Sequence, residues 1–346
     1  MRVAVVGATG AVGSQMTRLL DERDFPLDDL ALYATERSAG SRIPFRGSEI
    51  EVRASGDGWW DGVDVALVSC GSAASRELLP QAAAGGTLCI DNSSAFRMEP
   101  DVPLVIPEIN PDAARDHRGI IANPNCTAIT ALVPLAPLHR AFGLRFLLTS
   151  SYQSVSGTGM KAIRELAEQV GKLHGQEEDL RTPDPAALPV PEVYARPIAF
   201  NVIPLCETPD PAGSGFTTEE TKMGAEARKI LGLPDLQVAA TAVRVPVVAG
   251  HGVSVFAEFE GDATVDGARE VLADAPGVRL VDALEEGVFP TPLEAAGIDD
   301  VLVGRIRRPE GDRKALLYFA CADNLRKGAA LNAVQIAELL AAESGA

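Results

Sequence analysis

Short apolar runs alternate with amphipathic segments over residues 1–125. Four runs rich in Val, Ile, Leu and Ala have the length and continuity of buried strands, at 2–6, 29–34, 64–69 and 87–91. Between them, apolar residues recur at helical spacing over 12–22 and 73–84. Strands that alternate with helices predict a parallel sheet covered by helices, the α/β class of Rossmann-type domains.

The pattern changes after residue 143, where strands outnumber helices. Strands are predicted at 144–151, 237–248, 252–260, 300–307 and 314–321, with a hairpin at the glycine-rich turn 249–252. Helical spacing is seen at Ile163, Leu166, Val170 and Leu173, and again at Leu331, Val334, Ala337 and Leu340. Five prolines within 182–197 exclude a central strand or helix there. We expect this segment to be an extended excursion over the surface or onto a partner subunit.

These patterns divide the 346 residues into two predicted domains. We expect residues 1–127 to form a Rossmann-type domain, on which the C-terminal helix 325–346 packs. Residues 128–324 are expected to form an α+β domain with a mainly antiparallel sheet. The antiparallel sheet and the proline-rich excursion indicate a homodimer, with a homotetramer as the alternative.

Composition limits the partners of the chain. The net charge is −17, which disfavours nucleic acid and anionic membranes but permits a small anionic substrate. No apolar stretch approaches the roughly 20 residues that span a bilayer. Five cysteines without a CxxC pair indicate free thiols in a cytoplasmic protein, and four scattered histidines give no metal-ligand spacing.

A glycine loop follows the first predicted strand and opens the first helix. Residues 7–13 read Gly-Ala-Thr-Gly-Ala-Val-Gly, a variant of the dinucleotide fingerprint. Glycines let the backbone approach a pyrophosphate, and the helix N-terminus favours its charge. The candidate cofactor contacts in the loop are Gly7, Thr9, Gly10, Ala11 and Val12.

The end of the second strand indicates which dinucleotide binds. Glu36 could bind the ribose 2′-hydroxyl of NAD, whereas Arg37 and Ser38 offer a cation and a hydroxyl to a 2′-phosphate. An Arg at the position that contacts the 2′ group of the ribose favours NADP as the cofactor.

Cys126 lies in a strand, turn and helix pattern over 120–130. Asn123 or Asn125 can cap the helix, which places Cys126 in or just before its first turn. The positive end of the helix dipole lowers a thiol pKa there, so we expect a reactive thiolate near neutral pH. Cys70 and Cys89 lie in or at the end of apolar strands and are expected to be inert.

A thiol nucleophile beside a nicotinamide suits the interconversion of a thioester and an aldehyde. That chemistry needs a proton carrier. The candidate is His251, which is flanked by glycines between two apolar strands. The other three histidines lie in segments that are predicted to be at the surface.

The chain resembles aspartate-semialdehyde dehydrogenases over nearly its whole length. The motifs that carry the resemblance are Gly7–Gly13 and those at 92–97 (NSSAFR), 123–127 (NPNCT), 151–157 (SYQSVSG), 219–223 (EETKM), 244–246 (RVP), 250–252 (GHG) and 323–332 (DNLRKGAALN). One small departure is Thr127, where serine is common. Both residues carry a hydroxyl.

The resemblance implies a role for each matching residue. Cys126 would form the acyl-enzyme and His251 would be the acid/base. Gln153 would orient the substrate near the thiol, Arg244 would bind the α-carboxylate and Glu219 the α-amine.

Two further groups of residues follow from the same resemblance. Arg97 and Lys222 would hold the phosphate, and Ser156, Gly157 and Asn324 would reach the nicotinamide end of NADP. Residues 217–220 also read as a capping box, which places Glu219 and Lys222 on one helix face.

The implied reaction is the NADPH-dependent reduction of L-4-aspartyl phosphate to L-aspartate 4-semialdehyde through a Cys126 thioester. It would serve the synthesis of diaminopimelate, lysine, threonine and methionine. The alternatives are an N-acetyl-γ-glutamyl-phosphate reductase, which needs no carboxylate for a free amine, and a non-catalytic NADP-binding protein with an unreactive thiol.

Overall fold

The computed structural model describes residues 1–343 and contains two mixed sheets. The first sheet has seven strands: β1 Arg2–Val6, β2 Asp29–Ala34, β3 Arg42–Phe45, β4 Ser48–Ala54, β5 Val65–Val68, β6 Leu88–Asp91 and β7 Ile120–Ala122. Their order is β3-β4-β2-β1-β5-β6-β7, and all neighbours are parallel except β3 and β4.

Helices cover both faces of this sheet, because its strands are apolar on both sides. These helices are α1 Ala11–Glu22, α2 Ser72–Ala84 and α8 Leu331–Glu343. Residues of α1 and α8 share one core with Val5 and Leu67, whereas residues of α2 pack with Val6 on the opposite face. The helix predicted at the C-terminus thus packs on the first sheet, and residues 344–346 lie outside the described residues.

The second sheet has six strands: β8 Leu144–Gln153, β9 Gln237–Arg244, β10 His251–Phe259, β11 Val278–Leu280, β12 Val301–Arg307 and β13 Ala315–Ala322. The order is β11-β12-β13-β10-β8-β9, with parallel pairs at both edges and antiparallel pairs between them. The remaining helices are α3 Cys126–Phe142, α4 Met160–Leu173, α5 Thr218–Leu231, α6 Val265–Ala273 and α7 Pro292–Ala295. Residues of α3, α5 and α6 pack on one face of the sheet in a single core.

The predicted hairpin between β9 and β10 is wrong, because β8 lies between these two strands. The connection from β9 crosses the end of β8 and bonds to it. The N–H of Val245 donates to the carbonyl of Gln153 (3.0 Å), and the N–H of Val155 donates to the carbonyl of Val247 (2.9 Å). These hydrogen bonds bring His251, at the start of β10, beside the end of β8.

The predicted fold class is confirmed, with local differences. The hairpin β3–β4 and helix α6 were not predicted, because their exposed polar residues obscure the apolar pattern. The proline-rich segment 182–197 contains no helix or strand, as predicted. Within residues 1–343, no helix is long and apolar enough to cross a membrane.

Candidate active site

Cys126 is the first residue of α3 and follows the turn after β7. The Asn125 side chain caps this helix, since its Oδ1 accepts from the N–H groups of Thr127 (2.8 Å) and Ala128 (3.3 Å). The carboxyl ends of β6 and β7 open at this point, where α/β sheets bind their ligands. The predicted strand, turn and helix therefore place a half-buried thiol at the ligand edge of the first sheet.

Two cavities meet at Cys126. The glycine-loop cavity, about 520 Å³, extends from Gly10, Ala11 and Val12 to Cys126. The inner cavity, about 410 Å³, is lined by Cys126 and side chains of the second sheet. The two cavities share Asn125, Cys126, Gly157, Thr158 and Glu207 in their walls.

The expected depression of the thiol pKa is wrong for the ligand-free chain. Burial raises the pKa of Cys126 to about 12, and the nearby Glu219 carboxylate acts in the same direction. The charges of Arg97 and Arg244 and a hydrogen bond with Thr127 lower it, but burial outweighs them. The thiol is therefore protonated near neutral pH.

His251 lines the inner cavity together with Cys126. Its Nδ1 accepts from the backbone N–H of Ser154 (3.1 Å) and lies 3.0 Å from the Ser154 Oγ. Burial and then the charge of Arg244 lower the pKa of His251 to about 3. The ring is thus neutral with its proton on Nε2, which is buried without a partner among the described residues. Such a ring offers one free donor.

The buried side chains of Gln153, Glu219 and Arg244 line the inner cavity together with His251. Gln153 Nε2 donates to Glu219 Oε1 (3.0 Å), and Asn125 Nδ2 donates to the same carboxylate (3.0 and 3.2 Å). Burial raises the pKa of Glu219. Arg244 donates from one terminal nitrogen to the carbonyl of Ser154 (2.7 Å), but its buried Nε has no partner within residues 1–343. A buried cation with a free donor indicates an anion site.

Arg97 and Lys222 both line the glycine-loop cavity. Arg97 is buried and donates to the carbonyls of Asn92 (3.0 Å) and Asn123 (2.9 Å) and to Glu226 (3.0 Å). These bonds use three of the five guanidinium N–H groups, so two remain for a ligand.

Lys222 forms an ion pair with a carboxylate from outside its own helix. Its ammonium pairs closely with Glu207, whereas Glu219 on the same helix lies 3.9 Å away. The predicted capping box at the start of α5 is confirmed, with Thr217 and Glu220 bonding each other's backbone. Glu207 thus compensates the charge of Lys222 in this structure.

The glycine loop has the close contacts that a dinucleotide loop needs. Gly7 has φ +90°, and a Cβ there would lie 2.2 Å from the carbonyl oxygen of Ser69. A Cβ at Gly13 would lie 2.1 Å from the carbonyl oxygen of Gly7. Gly10 precedes α1 without a side-chain cap, which leaves the first N–H groups of the helix free for an anion.

Asn324 lies in the wall of the glycine-loop cavity and connects the loops that contain Ser154, Ser156 and Gly250. Its Oδ1 accepts from Ser154 Oγ (3.0 Å), Ser156 Oγ (3.2 Å) and the N–H of Gly250 (3.0 Å). A Cβ at Gly157 would lie 3.3 Å from His251 Nε2, so a side chain there would crowd the free donor. The structure thus places Ser156, Gly157 and Asn324 between the glycine-loop cavity and His251.

The other predicted cofactor residues lie outside the walls of this cavity. Gly7 and Thr9 belong to the loop that leads into it, and Arg37 and Ser38 form a 3₁₀ turn after β2. Because β2 pairs with β1, this turn flanks the glycine loop at the same edge of the sheet. Arg37 is exposed and forms no ion pair with any residue of 1–343.

Sequence reasoning missed two carboxylates and one glycine of the site. Glu226 binds Arg97 and also accepts from the N–H of Asn125 (2.7 Å), and Glu207 binds Lys222. The spacing of Glu226, seven residues after Glu219, was a usable signal because it repeats the same helix face. Gly328 lies in the 323–332 motif, but only the structure shows its contact: a Cβ there would lie 2.9 Å from the Cβ of Cys126. The part of the chain that the structure describes contains no cluster of His, Cys, Asp or Glu suited to a metal ion.

The fold and the site define a two-domain semialdehyde dehydrogenase, and family models agree. The NAD-binding domain of semialdehyde dehydrogenases matches residues 2–117, and their dimerisation domain matches residues 135–327. The chain is 48% identical to the aspartate-semialdehyde dehydrogenase of Mycolicibacterium smegmatis, with 99% of each chain covered. It is 44% identical to that of Bacillus subtilis, over 98% of this chain and 97% of the relative.

Solved structures show the same likeness. Aspartate semialdehyde dehydrogenase II from Vibrio cholerae, crystallised in complex with ASA, matches with a TM-score of 0.91 and 41% identity. The match covers 98% of this chain and 97% of that one. The chain therefore belongs to the aspartate-semialdehyde dehydrogenase family, which confirms the resemblance seen in the sequence. It is an oxidoreductase with an NAD(P)-binding domain.

Proposed function

We propose that the chain reduces L-4-aspartyl phosphate to L-aspartate 4-semialdehyde, with NADPH, through a thioester on Cys126. The observation that carries this proposal is the meeting of two cavities at one thiol. The inner cavity presents the unpartnered Nε2 of His251 and Nε of Arg244, and the glycine-loop cavity begins at a helix N-terminus. A substrate in the inner cavity and a nucleotide in the other would both reach Cys126.

The inner cavity suits the amino-acid end of the substrate. Arg244 would bind the α-carboxylate through its free Nε–H, which satisfies a buried donor that otherwise has none. Glu219 would bind the α-ammonium, and the added cation would lower the raised pKa of this carboxyl. Gln153, which donates to Glu219, would orient the substrate next to the thiol.

The phosphate would bind between Arg97 and Lys222. Arg97 is held by two backbone carbonyls and Glu226, which aims its two remaining N–H groups. Lys222 would turn from Glu207 toward the phosphate, because a dianion attracts an ammonium more strongly than one carboxylate does.

Catalysis would depend on the thiol and the neutral imidazole. The Cys126 sulfur would attack the acyl carbon, and its proton would leave with the phosphate toward Arg97 as hydrogen phosphate. Bound NADPH would supply a hydride to the thioester carbon, and the Cys126 thiolate would leave as the aldehyde forms. His251 donates its Nε2–H to the oxyanion that develops during this step. A buried neutral donor that is already in place stabilises such a charge without solvent reorganisation.

NADP is the proposed cofactor on the strength of Arg37 and Ser38. Both follow β2 at the edge where the glycine loop opens, and Arg37 has no ion-pair partner among residues 1–343 that would compete with a 2′-phosphate. Gly10, Ala11 and Val12 would bind the pyrophosphate through backbone N–H groups. Ser156, Gly157 and Asn324 would contact the nicotinamide end.

We propose a homodimer that forms through the outer face of the second sheet. Leu148 and Tyr152 on β8 are 42% and 37% exposed, and Leu148 pairs across the strands with Phe256. The matched dimerisation domain contains all three residues. An uncovered apolar sheet face of this kind is typical of a protein interface. A monomer in sedimentation equilibrium would refute this assignment.

The test of the reaction is an assay in the reverse direction with L-aspartate 4-semialdehyde, phosphate and NADP. We expect turnover that requires all three, and no turnover with N-acetyl-L-glutamate 5-semialdehyde, because buried Glu219 calls for a free ammonium. Preference for the acetylated substrate would favour the N-acetyl-γ-glutamyl-phosphate reductase. The absence of turnover with either substrate would favour a non-catalytic protein.

A further inference from the structure

The proline-rich segment is tied to α4 by two buried polar side chains. Glu165 accepts from the N–H groups of residues 192 (2.9 Å) and 193. Gln169 accepts from the N–H groups of residues 198 (2.8 Å) and 199 (3.1 Å), and it also donates to Glu165 (3.1 Å). Burying a carboxylate is costly unless it is fully hydrogen-bonded. These bonds therefore fix the end of an otherwise irregular segment at two points.

Tyr194 lies between these two points and faces the inner cavity. Together with Val193 and Ala195 it lines the cavity that contains Cys126. Its hydroxyl donates to Thr158 Oγ1 (3.1 Å), a residue in the wall shared by both cavities. The segment thus reaches the site through one aromatic side chain.

The Tyr194 ring covers Arg244. The guanidinium carbon lies 5.8 Å from the ring centroid, within the range of a cation–π contact. The carbonyl of Ser154 binds the same guanidinium (2.7 Å). These contacts hold the guanidinium plane, while its Nε is buried and has no partner in the described part of the chain. The ring therefore helps to hold the guanidinium that carries the free donor.

We propose that Tyr194, positioned by Glu165, is a specificity-determining residue of the inner cavity that tunes recognition of the substrate carboxylate by Arg244. This proposal rests on the proposed role of Arg244. Glu165 does not touch the substrate in this account and is a positioning residue that acts through Tyr194. The proline-rich segment thereby has a function, because it brings the ring to the site.

Steady-state kinetics of the full-length enzyme test the proposal. Tyr194→Leu should raise the KM for L-aspartate 4-semialdehyde roughly five-fold, the size of a partly desolvated cation–π contact. The KM values for phosphate and NADP should stay within about two-fold. Tyr194→Phe keeps the ring and should stay near the parent value. Val190→Ala, at a position 82% exposed in the same segment, is the matched control and should change nothing.

A substrate without the carboxylate adds a second readout. The parent enzyme should prefer L-aspartate 4-semialdehyde over 3-aminopropanal, and Tyr194→Leu should reduce that preference by the same roughly five-fold factor. An equal loss toward both aldehydes, or an unchanged KM, would overturn the proposal. So would an equal rise in all three KM values, which is what general damage to the fold produces.

Double variants test the link to Glu165. In the otherwise unchanged enzyme, Glu165→Gln should raise the KM for the semialdehyde, whereas in the Tyr194→Leu variant it should raise that KM little further. If the two substitutions together raise the KM by the product of their separate effects, Glu165 does not act through Tyr194. The Arg244→Leu variant distinguishes a failure of the carboxylate site from a failure of the Tyr194 proposal. If Arg244→Leu leaves the KM for the semialdehyde unchanged, Arg244 does not bind the carboxylate. If Arg244→Leu raises that KM and Tyr194→Leu leaves it unchanged, only the role of Tyr194 is refuted.

Discussion

Alkylation of Cys126 as a function of pH tests whether burial or the helix start controls the thiol. Burial raises the pKa of Cys126 to about 12 from an ordinary value of 9.0. At neutral pH, the thiolate fraction falls roughly a thousand-fold relative to an ordinary thiol. A more basic thiolate is more nucleophilic, with a Brønsted slope of about 0.4–0.5, which recovers roughly twenty-fold. Cys126 in the ligand-free protein should therefore react about fifty-fold more slowly than a free cysteine peptide.

The assay is timed labelling with iodoacetamide, followed by peptide mass spectrometry that separates Cys126 from the other four cysteines. Because the pKa is raised, the rate should climb roughly tenfold per pH unit from about pH 7 to pH 10, without a plateau. Arg244→Leu should slow labelling further, since the charge of Arg244 lowers the pKa of Cys126. A plateau below about pH 8 would refute this reasoning and show that the helix start dominates.

Three further predictions concern charges around the site. Arg97→Leu should raise the phosphate KM by about tenfold or more, because a charged hydrogen-bond donor is lost, and an unchanged KM would remove Arg97 from the phosphate site. Glu226→Gln should lower the free energy of unfolding by about 3 kcal/mol in urea melts, because one amide oxygen cannot serve both buried donors. The control Glu168→Gln, at an exposed position of α4, should change it by less than about 0.5 kcal/mol. Arg37→Ala should reduce kcat/KM for NADP several-fold and leave that for NAD unchanged, and equal losses would contradict the 2′-phosphate contact.

The sequence was most informative where local rules decide the structure. The glycine loop, the helix start at Cys126 and the capping box of α5 depend on residues within a few positions of one another. Their elements could therefore be predicted to within a few residues. The roles of Gln153 and Glu219 came from the family resemblance, and His251 was reached by elimination among the four histidines. That all three residues line one cavity is seen only in the structure.

Long-range partners could not be predicted in this way. Arg97 pairs with Glu226, which is 129 positions away, and Lys222 pairs with Glu207 in a loop before its own helix. The false hairpin has the same origin, because nothing within 237–260 indicates that β8 lies between its two strands. The pKa of Cys126 was misjudged because local sequence shows the helix start but not the burial around it.

The most direct test of the account is the identity of the acylated residue. The protein is mixed with L-aspartate 4-semialdehyde and NADP without phosphate, quenched in acid and digested for mass spectrometry. We predict an aspartyl thioester on the peptide that contains Cys126, which disappears when phosphate is added before the quench. Cys126→Ser should show no adduct and lose turnover by several orders of magnitude while still binding NADP. An adduct on another residue, or near-normal turnover by Cys126→Ser, would contradict the account.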